Sequence, residues 1–66
     1  MTKEMATMTG KEMVKKYHQN GWTLERIKGS HHVMEKDGFP SVSIPVHGSK
    51  DLPIGLCNKL LKILKG

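Results

Sequence analysis

Four glycine-centred turn signals cut this chain into five short segments: Asn20-Gly21, Lys28-Gly29-Ser30, Asp37-Gly38 and His47-Gly48-Ser49-Lys50. Connections this short favour an antiparallel meander over crossovers between parallel strands. The pattern between the turns then assigns the segments. Thr9-Gly10-Lys11-Glu12 matches a capping box, and Met8 and Met13 hold the two positions of a hydrophobic staple. Met13, Val14 and Tyr17 form an apolar stripe with Lys11, Lys15 and Lys16 facing away, and Gly21 suits the left-handed position after a helix. A first helix is therefore expected from about Gly10 to Asn20.

Residues Trp22 to Ile27 read as a strand, with Trp22, Leu24 and Arg26 on one face and Thr23, Glu25 and Ile27 on the other. Lys28-Gly29-Ser30 is turn material, His31 to Lys36 a second strand, and Asp37-Gly38 a hairpin signal. Ser41 to Val46 is the third strand, turning Val42, Ile44 and Val46 to one face and Ser41 and Ser43 to the other. Pro45 has no amide proton and puts this strand at an edge, or ends it there. Asp51 fits an N-cap and Pro53 a first turn, and Leu56 to Lys65 is the second helix. Its stripe of Cys57, Leu60, Leu61 and Leu64 belongs to the core, while Lys59, Lys62 and Lys65 form a solvated side. The expected class is α+β, in the order α-β-β-β-α: a three-stranded antiparallel sheet with both helices on one face and the other face open. Residues 1–7 are expected to be a flexible N-terminal extension, and residues 8–66 a single domain.

At 66 residues the chain holds one domain, and a chain of that size buries only about 60% of its unfolded surface. A dinucleotide enzyme with separate substrate and cofactor domains is excluded. Cys57 is the single cysteine, which rules out an internal disulfide and a zinc site of several thiolates, and reads as a small buried hydrophobe. With no apolar run of signal-peptide or membrane-span length, a cytoplasmic protein is expected. The net charge of +5 and a pI near 9.6 suit a binder of polyanions, nucleic acid above all. Aromatic residues are few; Trp22 is read as core, so stacking on bases and sequence preference should both be weak.

The stretch with chemistry is Lys28-Gly29-Ser30-His31-His32. Imidazole is the side chain whose unperturbed pKa, about 6.5, lies beside neutrality. Strand period puts His31 and His32 on opposite faces, so they do not share a metal, and His32 is read as structural or peripheral. In an antiparallel meander, His47 falls at the end of the sheet where His31 begins, as a second acid or base or as a plain loop histidine.

Gly21-Trp22, Arg26, Lys28-Gly29-Ser30-His31-His32 and Ile44-Pro45-Val46-His47, followed by Leu52, Pro53 and Gly55, resemble the HicA family of toxins from toxin–antitoxin pairs. The match runs over nearly the whole chain from Thr9 onward. The resemblance implies a double-stranded-RNA-binding-domain-like fold, a messenger-RNA interferase activity and a HicB-type antitoxin that caps the active surface. It also implies that the essential histidine is the one after Gly-Ser, here His31. The basic cluster that double-stranded-RNA-binding domains carry at the start of the last helix is replaced by Pro53-Ile54-Gly55-Leu56. Recognition of duplex RNA by shape is therefore not expected.

RNA carries its own nucleophile: deprotonating a 2′-hydroxyl lets it attack the adjacent phosphate, leaving a 2′,3′-cyclic phosphate and a 5′-hydroxyl. The step needs a proton acceptor, a proton donor and cations, but no metal or other cofactor. His31 is the general base or general acid. Lys28 is the phosphate cation, joined by Arg26, whose guanidinium fork matches phosphate, and by Lys50. The Gly29 and Ser30 amides allow close approach of the RNA backbone. Two rivals stand beside this reading. One is a non-catalytic basic RNA-binding module using Lys28, Lys50 and the lysines of the second helix. The other is a protein-interaction domain that offers its open sheet face to a partner.

Overall fold

The computed structural model describes residues 8–65; the expected extension over residues 1–7 and the terminal Gly66 lie outside the described residues. Helix α1 (Gly10–Gln19) starts at the capping box: the Thr9 hydroxyl accepts from the Glu12 amide, and the Glu12 carboxylate accepts from the Thr9 amide. It ends in a Schellman motif. The Trp22 amide donates to the Tyr17 carbonyl and the Gly21 amide to the His18 carbonyl, with Gly21 at a φ of 91°. The Trp22 and Tyr17 rings, whose backbones close this motif, meet edge to face at 5.0 Å.

Three strands follow, β1 (Thr23–Lys28), β2 (His31–Glu35) and β3 (Val42–Pro45), hydrogen-bonded in the order β1-β2-β3 with both pairs antiparallel. Helix α2 (Ile54–Lys65) closes the chain. The expected order and class hold, and the two helices share one side of the sheet. Met13 and Tyr17 from α1, Met34 and Ile44 from the sheet, and Cys57 and Leu60 from α2 form one buried cluster with Trp22 and Leu52. Cys57 is thus the small core hydrophobe its helical stripe implies. Apolar burial of this kind is worth roughly 1.5–3 kcal/mol per large side chain.

Three details depart from expectation. The first is a β-bulge in β1. Leu24 pairs with Met34 but Arg26 pairs with Val33, so Glu25 is inserted between them. A bulge shifts the phase of alternation. Leu24 and Ile27 therefore share the helix side of the sheet, where they remain 45% and 55% exposed on an edge strand. Thr23, Arg26 and Lys28 take the open side, and Arg26 does not share a face with Leu24. The second is Lys28, which is the last residue of β1 and no part of the turn. The third is the start of α2, at Ile54 and two residues earlier than the apolar stripe suggests. The Pro53 carbonyl accepts from the Cys57 amide, which puts Pro53 in the N-cap position in place of Asp51. Asp51 instead bridges Thr9, and the neighbouring Leu52 amide donates to the Met8 carbonyl at 2.8 Å.

Candidate functional site

The β1–β2 connection is a two-residue hairpin in which Gly29, at a φ of 60°, carries the only left-handed geometry. That is the pattern of a type II′ turn, whose twist matches the strands it joins and whose first central residue is glycine. Such a turn puts the residues before and after it directly across from one another, and Lys28 pairs with His31. The β2–β3 register sets Pro45 across from His31 on the other side, and the Val46 amide donates to the Ser30 carbonyl at 2.7 Å. The turn is thereby tied to the end of β3 as well as to its own hairpin.

Partners across a sheet and alternate residues along a strand share a face. His31, Val33, Lys28, Arg26, Ser43 and Pro45 accordingly lie together on the side away from the helices. His31, Lys28, Arg26 and Ser43 are all exposed. The bulge at Glu25 gives Arg26 its place in this group. One side chain reaches the imidazole: Ser43 Oγ lies 3.3 Å from His31 Nδ1. Ser43 was not among the residues picked out by sequence, although its alternation with Val42 and Ile44 already turned it to the open face. What was missing was the β2–β3 register, which brings that hydroxyl within reach of His31.

His32 faces the other way, as strand period requires. It pairs with Ile27 and Ile44 on the helix side, where it borders a groove along α1 with Val14, His18 and Val46. Its Nδ1 is shielded and has no hydrogen-bond partner among protein atoms. The sheet separates this groove from the His31 imidazole.

His47 follows β3 in the loop, where its carbonyl accepts from the Lys50 amide at 3.1 Å. His47 and Lys50 line a small recess with Pro45 and Pro53, and so flank the end of the sheet that holds His31. Trp22 is 2% exposed and packed between Tyr17 and Phe39, so it offers no platform to a base. Among the described residues no three His, Cys, Asp or Glu side chains gather where they would hold a metal ion. No described helix is long and apolar enough to cross a membrane.

A family model described as HicA toxin of bacterial toxin–antitoxin matches residues 10–65, from the first residue of α1 to the last of α2. The chain belongs to the HicA toxin family. As a HicA-family protein it is the toxin of a toxin–antitoxin system, which implies an antitoxin partner. A comparison with curated proteins gave no match. In this HicA-family chain the Gly-Ser-His segment forms the tip of the β1–β2 hairpin, and Pro-Val-His forms the end of β3 beside it.

Proposed function

We propose that this toxin is a metal-independent endoribonuclease, a messenger-RNA interferase of the cytoplasm that a HicB-type antitoxin silences by covering the open face of the sheet. One observation carries the reading. In a HicA-family chain, an exposed histidine, His31, stands directly across from a lysine, Lys28, with Arg26 on the same face. The substrate's 2′-hydroxyl is the nucleophile, and His31 moves a proton to or from the reacting oxygens. Lys28 and Arg26 offset the charge that builds on the phosphorane, and Arg26 can do so through two N–H groups at once.

Gly29 has no side chain to hold a phosphate off, and open space surrounds the position of its missing Cβ. Lys50 extends the cationic track beyond the sheet, and His47 is the accessory proton carrier at that end. General acid–base catalysis contributes about 10²- to 10⁴-fold, so a single well-placed histidine makes a slow nuclease. Slow cutting is enough where the targets are exposed messages. Mapping the ends of RNA cut in the presence of EDTA tests the chemistry. The expected products end in a 2′,3′-cyclic phosphate and a 5′-hydroxyl. Ends bearing a 3′-hydroxyl and a 5′-phosphate, or cutting of a substrate that lacks 2′-hydroxyls, would contradict it.

A further inference from the structure

We infer that Ser43 is the positioning residue for His31, holding the imidazole by Nδ1 so that Nε2 is the nitrogen that exchanges protons with RNA. The inference rests on the nuclease reading and adds to it which atom works and what aims it. Its basis is the hydroxyl of Ser43, 3.3 Å from His31 Nδ1 across the β2–β3 pair. Ser43 is in register with Val33, two residues along from His31, so the contact is a diagonal one within the open face. The backbone fixes both ends of it. His31 opens β2 directly after the Gly29 turn, and Ser43 lies inside β3 between Val42, half-buried, and Ile44, fully buried.

A hydroxyl both donates and accepts, so two arrangements exist for neutral imidazole. Only one of them survives a proton transfer. If the Nδ1–H donates to Ser43 Oγ, the lone pair of Nε2 is free to take a proton. The imidazolium that results keeps the same Nδ1–H···Oγ bond. The ring then stays in place whether His31 acts as base or, once charged, as acid, and no reorganisation accompanies the step. The reverse arrangement, with the hydroxyl donating to Nδ1, must break when the ring becomes charged. Ser43 also accounts for the division of labour between adjacent histidines: His31 has a side-chain partner on the open face, and His32 Nδ1 has none on the other.

Imidazole ¹⁵N NMR of the full chain, together with RNA cleavage kinetics, tests this with two variants. Ser43→Ala removes the hydroxyl and Ser43→Thr restores it; both sit at an exposed position of an edge strand, where neither disturbs the core. In the unaltered chain neutral His31 should be mainly the Nδ1–H tautomer. In Ser43→Ala it should revert to the Nε2–H form that free imidazole side chains prefer, and in Ser43→Thr it should stay Nδ1–H. Cleavage should fall about tenfold in Ser43→Ala, chiefly in kcat, as for the loss of one hydrogen bond to a group that becomes charged. Ser43→Thr should return most of it. An identical His31 tautomer in the unaltered chain and Ser43→Ala, or a Ser43→Thr as slow as Ser43→Ala, would overturn the assignment. A chain that cuts no RNA refutes the nuclease reading instead, and the NMR comparison tells that failure apart from a failure of Ser43.

Discussion

At Tyr17 a single phenol ties the two helices together. Its hydroxyl donates to the Leu60 carbonyl at 2.7 Å inside the core, and burial pushes its pKa from 10.0 up to about 12. An unfolded tyrosine ionises near pH 10 while the folded one holds its proton to about 12. Between those values the unfolded state has lost a proton that the native state retains, so alkali draws the equilibrium toward unfolding. The contribution is whole below pH 10 and is lost as pH rises through 12. Tyr17→Phe should cost about 0.5–1.5 kcal/mol at neutral pH by removing this hydrogen bond between the helices, and should remove this part of the alkaline loss. Urea unfolding across a pH series reads both effects; equal alkaline slopes in the two proteins would contradict them. At this scale the sequence was legible where local rules decide. The Thr9–Glu12 box and Gly21 follow from spacing alone, whereas the Tyr17–Leu60 bond joins residues from opposite ends of the chain and has no local signature.

Among the elements, two glycines that look alike in sequence behave in opposite ways. Gly10 opens α1 against the end of β3, and a Cβ there would land on the Pro45 carbonyl oxygen and the Val46 Cα. Both are backbone atoms tied into the sheet and the hairpin tip, so neither can swing aside. Gly55, in the first turn of α2, has nothing within 4 Å of where its Cβ would be. Gly10→Ala should destabilise by about 1–3 kcal/mol, and Gly55→Ala should stabilise by about 0.5 kcal/mol through helix propensity and reduced chain entropy. Thermal unfolding of the pair checks this, and a neutral Gly10→Ala would mean that α1 does not seat on β3 as described. The elements themselves were readable from glycine punctuation and period, but the bulge at Glu25 was not. Alternation gives a phase only until an extra residue is inserted, and nothing in Leu24-Glu25-Arg26 announces one. The N-cap of α2 was misplaced for a related reason. Asp51 has the right side chain for a cap, yet the chain there still runs alongside Met8 and Thr9, the Leu52 amide donating to the Met8 carbonyl, and the helix opens at Pro53 instead.

The whole molecule gives one sheet face to the core and leaves the other open for the proposed chemistry. Both helices cover one face, and the other carries His31, Lys28, Arg26 and Ser43; β2 and β3 anchor the sheet to the core through Met34 and Ile44, while β1 lies at the edge. Short connections made the meander legible, and with it the nearness of the Gly-Ser-His and Pro-Val-His segments. The partner of the His31 ring was not, because register is a property of two strands and neither one carries it alone. The most direct test of the central claim compares this chain with its His31→Ala form on a single-stranded RNA in EDTA, with cleavage and binding measured side by side. The account predicts cleavage lowered by about 10²-fold or more in His31→Ala. Affinity should be retained and should weaken with salt equally in both proteins, since Lys28 and Arg26 still meet the phosphates. Cleavage undiminished by the substitution would contradict it.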